Sequence, residues 1–157
     1  MSHKVCILNT ATNGLHSTYE NVSKKNLYAI GRLIMLNYSI GHYDKNMKYI
    51  EEKKVYKILY PENITFNKEA ENIHKISYDK AKKEGVKNKE IIKNFKNDLK
   101  GVKIIISHSL DFHLKAIQAE CFKTCESLNF GKYILIDTMT FKNDNKYYKL
   151  KDLEKIH

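Results

Sequence analysis

Apolar residues in this chain fall into short runs, and the spacing between them changes partway along. Up to residue 60 the runs read as strands; from residue 67 they follow a helical period. Lys4 to Asn9, holding VCILN, predicts a first strand. It delivers its last side chains to a loop that turns at Asn13-Gly14. Residues 27–41, LYAIGRLIMLNYSIG, predict a second strand, and NMKYI after Asp44-Lys45 reads as a hairpin return. Lys53 to Tyr60 continues as a third strand, stopped by Pro61.

Helix signals then take over. Asn67 is placed to cap Lys68 to Ile73, with Glu69 in the first turn where the helix dipole favours a negative charge. Ser77 caps a second short helix through Lys83, closed by Gly85. After Asn88, the residues Ile91, Ile92, Phe95 and Leu99 share one face of a third helix that Gly101 ends. VKIIIS, residues 102–107, suits a strand covered on both faces. The stripe Leu110, Leu114, Ile117, Cys121, Cys125 and Leu128 predicts a long helix over 110–128, with both cysteines packed as small hydrophobes. YILID, residues 133–137, reads as another inner strand, and 150–156 as a last helix. A strand meander followed by alternating strands and helices predicts one α/β domain over 1–157, a mixed sheet flanked by helices.

Charge changes the picture more than overall composition does. The chain carries a formal net charge of +10, and a basic surface attracts phosphate. Only Arg32 among the 28 basic residues is arginine. Lysine is a point charge without the planar fork that grips phosphate with two hydrogen bonds. Heavy use of Lys, Asn, Ile and Tyr, whose codons are AT-rich, is a second source of the same excess. Lys82, Lys83, Lys87 and Lys89 mark the densest basic stretch, read either as a solvated helix face or as a phosphate-contacting one. Tyr147 and Tyr148, between Lys146 and Lys149, are candidates for stacking bases. Three cysteines form no disulfide framework and fit reduced thiols. No apolar run is long enough to span a bilayer, and the N-terminus lacks a secretory signal. The expected location is intracellular, in cytoplasm or nucleus, or within a virion if the gene is viral.

The order of elements, with four local motifs, resembles the DnaQ-like DEDD 3'-5' exonucleases of the ribonuclease H-like fold. ILNTATNGL, residues 7–15, is similar to a strand ending in Asp-x-Glu and followed by Thr-Gly-Leu. ENIHKIS, residues 71–77, is similar to an Ile-His-Gly-Ile-Thr segment, with Lys75 where Gly is usual. SHSLDFHLKAIQAE, residues 107–120, resembles His-Asn-x-x-Phe-Asp-x-x-x-Leu, and IDTM, residues 136–139, resembles the strand that follows. The resemblance implies a nuclease that holds two Mg²⁺ ions about 4 Å apart through four carboxylates.

This chain departs from that pattern motif by motif. The first Asp falls on Asn9, the Glu on Ala11 and the second Asp on His113. The third motif, a His or Tyr several residues before a final Asp, finds no match before His157. The resemblance therefore implies a degenerate member with no catalytic residue and no bound metal. Such a member would serve as a nucleic-acid-binding subunit or as a scaffold for a protein partner, its oligomeric state undetermined. The alternative is an active Mg²⁺-dependent exonuclease with displaced or partner-supplied ligands. Groove candidates carried over by position are Thr10, Asn13, His108, Asp111 and Phe112.

Rescue of a metal site from His108, Asp111, His113 or Asp137 competes with a plainer reading. Within one helix, His108 and His113 would stand about 140° apart and share no face. The plainer reading has His108 hydrogen-bonding the helix start and His113 partly exposed. Cys121 and Cys125 have ligand-like spacing, but their place on the apolar stripe favours packing.

Overall fold

The computed structural model describes residues 2–140. Tyr147, Tyr148, His157 and the expected helix at 150–156 lie outside the described residues. A five-stranded sheet in the order β3-β2-β1-β4-β5 organises the rest. β1 (Lys4–Thr12) is its centre, pairing antiparallel with β2 (Leu33–Tyr43) and parallel with β4 (Val102–Ser107). β3 (Tyr49–Ile58) is one edge and β5 (Ile134–Asp137), parallel to β4, is the other. This is the mixed sheet flanked by helices that the order of elements predicts.

The strand boundaries differ from the sequence reading for physical reasons. β1 runs on through Asn9, Thr10 and Ala11 to Thr12. Its ladder continues against β2, with Asn9 opposite Asn37, Thr10 opposite Leu36 and Ala11 opposite Met35, before a register shift. A long antiparallel partner satisfies backbone groups that the polar side chains alone would not hold in a strand. The front of 27–41 is not a strand. Leu27–Ala29 forms a 3-10 turn, in which Ala29 N donates to Asn26 O and Ile30 N to Leu27 O. The hairpin return and the third strand are one element, β3.

Among the described residues four α-helices follow: α1 (Lys68–His74), α2 (Tyr78–Glu84), α3 (Asn88–Asp98) and α4 (Leu110–Thr124), the last between β4 and β5. The Asn67 and Ser77 side chains cap α1 and α2 by accepting from Glu69 N and Lys80 N. Phe95, Ile92 and Ile117 from α3 and α4 are fully buried against Cys6, Leu8, Leu36 and Ile105 of the sheet. A smaller cluster joins Ala11, Met35 and Ile58 to Ile76, Ala81 and Phe66 around α1 and α2. α4 stops four residues earlier than its stripe predicts. Cys125 takes the left-handed conformation at φ 57°, and Glu126 N bonds back to Cys121 O. Cys121 is buried as expected, Cys125 is exposed instead, and Leu128 still packs into the core after the chain reverses.

Lys75 ends α1 in the left-handed region, at φ 59° and ψ 22°. A β-carbon is strained there, which accounts for the glycine usual in the resembling segment. Replacing it, Lys75→Gly, is expected to stabilise the fold by about 1 kcal/mol. Thermal unfolding should report a midpoint raised by about 3 °C; a lowered midpoint would show that the Lys75 side chain contributes more than the strain costs.

Candidate functional site

The positions matched to nuclease ligands lie where the end of β1 meets the start of α4. Strand alternation separates them. Thr10 faces the side packed by α4, while Asn9 and Ala11, one residue either way, point to the opposite face. Asn9 is exposed and Ala11 is buried in the smaller cluster. His113 is the residue that meets β1. Its Nδ1 accepts from Thr10 N at 3.2 Å and lies 2.7 Å from Thr10 Oγ1, and its Nε2 lies 3.0 Å from His108 O.

These partners assign the tautomer. An amide N–H donates to Nδ1, so the proton sits on Nε2, which donates to the carbonyl. Both nitrogens of a neutral ring are thereby occupied. His113 is buried, contrary to the partly exposed position expected, because its ring fills the contact between helix and sheet. Burial is the main force holding its pKa below the usual 6.5, against the opposing pull of the His108 carbonyl.

Around this bond the other polar groups are also occupied. Asp137, at the end of β5, accepts from Ser109 N at 3.0 Å, Leu110 N at 2.9 Å and Met139 N at 3.0 Å. Ser109 stands in the left-handed region at φ 68°, with no cap from its own side chain. The Asp137 carboxylate supplies that cap, where the helix dipole favours negative charge. His108 Nδ1 lies 2.8 Å from Thr138 Oγ1, just past the end of β5, while its carbonyl oxygen meets His113 Nε2 in the first turn of α4. Asp111 is largely exposed and pairs with Lys115 at 3.0 Å.

Sequence reasoning passed over His16. Its ring stacks on Phe112 at 4.3 Å, accepts from Gly31 N through Nδ1 and reaches Phe112 O through Nε2. One face of the Phe112 ring is therefore covered. Only the isolated polar ring after a glycine turn signals His16 in the sequence. Asn13 ties the same loop together: its amide donates to Thr65 O at 3.0 Å, and its oxygen accepts from Arg32 N at 2.7 Å. Lys82, Lys83, Lys87 and Lys89 are all exposed around the α2–α3 junction, away from the His113 contact in sequence.

Among the described residues, the donors at the matched positions do not form a charged oxygen set of the kind a pair of hard divalent cations takes. Mg²⁺ selects charged oxygens. Asn9 offers an exposed amide, Ala11 no ligand atom, and His113 two nitrogens already bonded. The Asp137 oxygens already take three amides. Among the described residues, no group of three or more His, Cys, Asp or Glu is placed to hold a metal ion. The thiols of Cys6 and Cys121 are both pushed up to about 12 by burial, which makes them packing groups.

The mixed five-stranded sheet with its flanking helices is an α/β ribonuclease H-like fold. Solved structures of exonuclease I share it. The complex of Escherichia coli exonuclease I with a dA16 oligonucleotide aligns with TM-score 0.66 and 12% identity, over 87% of this chain and 28% of that one. Exonuclease I without ligand aligns with TM-score 0.67 and 12% identity, over 88% and 30% of the two chains. A complex of exonuclease I with the SSB C-terminus aligns with TM-score 0.66 and 11% identity, over 88% and 29%. The chain thus spans less than a third of the length of these proteins. No protein-family model matches the sequence, and no curated protein matches it.

The histidine bonds carry a pH signature. Folded His113 and His16 bind a proton less readily than the same residues unfolded, mainly because both are buried. The unfolded state then gains protons first as pH falls through the ordinary value of 6.5, and stability drains away below it. Thermal midpoints are expected to fall between about pH 8 and about pH 5. In His113→Asn that fall should be shallower, while an identical slope in the variant would contradict the assignment.

Proposed function

We propose that this chain is a non-hydrolysing exonuclease-like module that binds single-stranded nucleic acid. One observation carries the reading. The position matched to a metal-binding carboxylate holds a neutral histidine whose two nitrogens join α4 to β1. A ring committed in this way keeps the cleft's walls together without offering charge to a cation. The fold retained around it is one that, in exonuclease I, is seen with an oligonucleotide. The formal charge of +10 and the exposed lysines of α2 and α3 favour a polyanion as the partner.

A protein-scaffolding role is the second reading, favoured by the β5 edge. Ile134 and Leu135 of this edge strand are 60% and 42% exposed, and an apolar edge to which no described strand is paired offers a pairing surface. The two roles separate in solution. Phosphate contacts make affinity fall steeply with salt, whereas docking on apolar side chains does not.

Purified protein mixed with labelled single-stranded DNA or RNA and Mg²⁺ or Mn²⁺ should leave the strands at full length. It should also retard them at low salt, and each phosphate contact should add about 0.7 to the slope of log affinity against log salt. Metal-dependent shortening from the 3' end, lost in His113→Ala, would overturn the non-hydrolysing reading. Absence of any salt-sensitive binding would overturn the nucleic-acid reading in favour of the scaffold.

A further inference from the structure

Arg32, the sole arginine, occupies an unusual place. It precedes β2, and its Nε donates to Glu120 Oε1 of α4 at 2.8 Å. Glu120 is 1% exposed, and its other oxygen accepts from Asn88 Nδ2 at 3.1 Å. The guanidinium is thus held by a carboxylate that cannot move. Neither Nη atom has a protein acceptor among the described residues, and neither is buried without one. An arginine fixed through Nε with its outer donors free is already organised to receive an anion.

Lys123 lies one turn beyond Glu120 on α4 and lines the same cavity, of about 290 Å³. No carboxylate pairs with it among the described residues. Two cations therefore meet one buried anion, which leaves the cavity positive. Lys123 registers this: burial, then repulsion from Arg32, pulls its pKa below the usual lysine value. An incoming anion would relieve that repulsion.

The opposite wall is a rigid loop. Asn13 N donates to Arg32 O, Ser17 N to Ala29 O, and Thr12 Oγ1 to Gly14 O. A β-carbon on Gly31 would lie 2.2 Å from Gly14 O, so the two loop ends meet at a distance only glycine allows. On the rim stand Tyr28 and Leu15, 90% and 87% exposed. A free aromatic face beside fixed cations is the arrangement that stacks a base and holds its phosphate.

We infer that the cavity between the 13–32 loop and the end of α4 binds the phosphate group of a nucleotide unit, held by Arg32 and Lys123, with the base against Tyr28. This deepens the nucleic-acid reading above and rests on it for the strand as natural ligand. The site lies on the far side of His16 and Phe112 from His113, and it needs no metal. It gives the lone arginine a role that the lysine-rich surface does not fill.

Arg32→Ala would strand buried Glu120 and endanger folding, so the test uses two surface variants, Lys123→Glu and Tyr28→Ala, with unfolding curves to confirm that each is folded. Amide NMR spectra of the full chain would be followed on adding inorganic phosphate, thymidine 5'-monophosphate and a short fluorescent oligothymidylate. The expected result is movement of the Gly14, Gly31 and Lys123 amides with both nucleotide and oligonucleotide. Lys123→Glu should weaken oligonucleotide binding about tenfold and lower its salt slope by about 0.7. Tyr28→Ala should weaken it about fivefold or more. Oligonucleotide binding that both variants leave intact, with those amides still, would overturn the pocket while leaving the nucleic-acid reading standing. Movement with nucleotide but no binding of the oligonucleotide would support the pocket and overturn the strand as its ligand. Equal movement with inorganic phosphate and nucleotide, unchanged in Tyr28→Ala, would overturn the nucleotide claim in favour of a free anion.

Discussion

The bond between His113 and Thr10 is the contact on which the end of the cleft depends. It joins the first turn of α4 to the central strand across 103 residues of sequence. It does so inside the fold, where a backbone amide without a partner would cost about 1–3 kcal/mol. Burial and bonding reinforce each other. A dry site makes each hydrogen bond stronger, and the neutral ring is the form that such a site accepts. A carboxylate at the same position would bring a charge that needs cations or further donors, whereas the neutral ring is satisfied by Thr10 and the His108 carbonyl.

Neighbouring groups follow the same logic. Asp137 is aligned with β4 by strand pairing, where Ser107 lies opposite it, and from there it caps α4. His16 closes the loop after β1 onto the same helix from the other side. Three polar side chains from three separate elements thus brace one helix start. Polar residues at such a junction are usually read as chemistry. Here each atom's partner is a backbone group or a hydroxyl of the protein, and the arrangement reads as support.

Much of the fold is legible in the sequence. The change of period near residue 67, the Asn67 and Ser77 caps and the Ile91–Phe95 face all correspond to observed elements, because local propensity and burial agree there. What escaped depends on contacts between distant parts of the chain. β1 extends to Thr12 because β2 pairs with it, and Cys125 leaves the apolar stripe because α4 ends in a left-handed turn that no glycine announces. The candidate site was legible in part. That Asn9, Ala11 and His113 carry no carboxylate can be read directly. The use of His113 as a helix-to-strand tie, the part played by His16 and the Arg32–Glu120–Asn88 group cannot, since each joins residues 15 to 103 positions apart.

On this reading both His113 ring nitrogens are committed to joining α4 to β1. Histidine ¹⁵N spectra recorded near neutral pH while Mn²⁺ is added test this most directly. The expected result is a His113 ring with the proton on Nε2 and none on Nδ1, and no selective broadening of the His113 and Thr10 signals as the ion is added. A His113 ring in the other tautomer, or broadening centred on these two residues at low Mn²⁺, would contradict it.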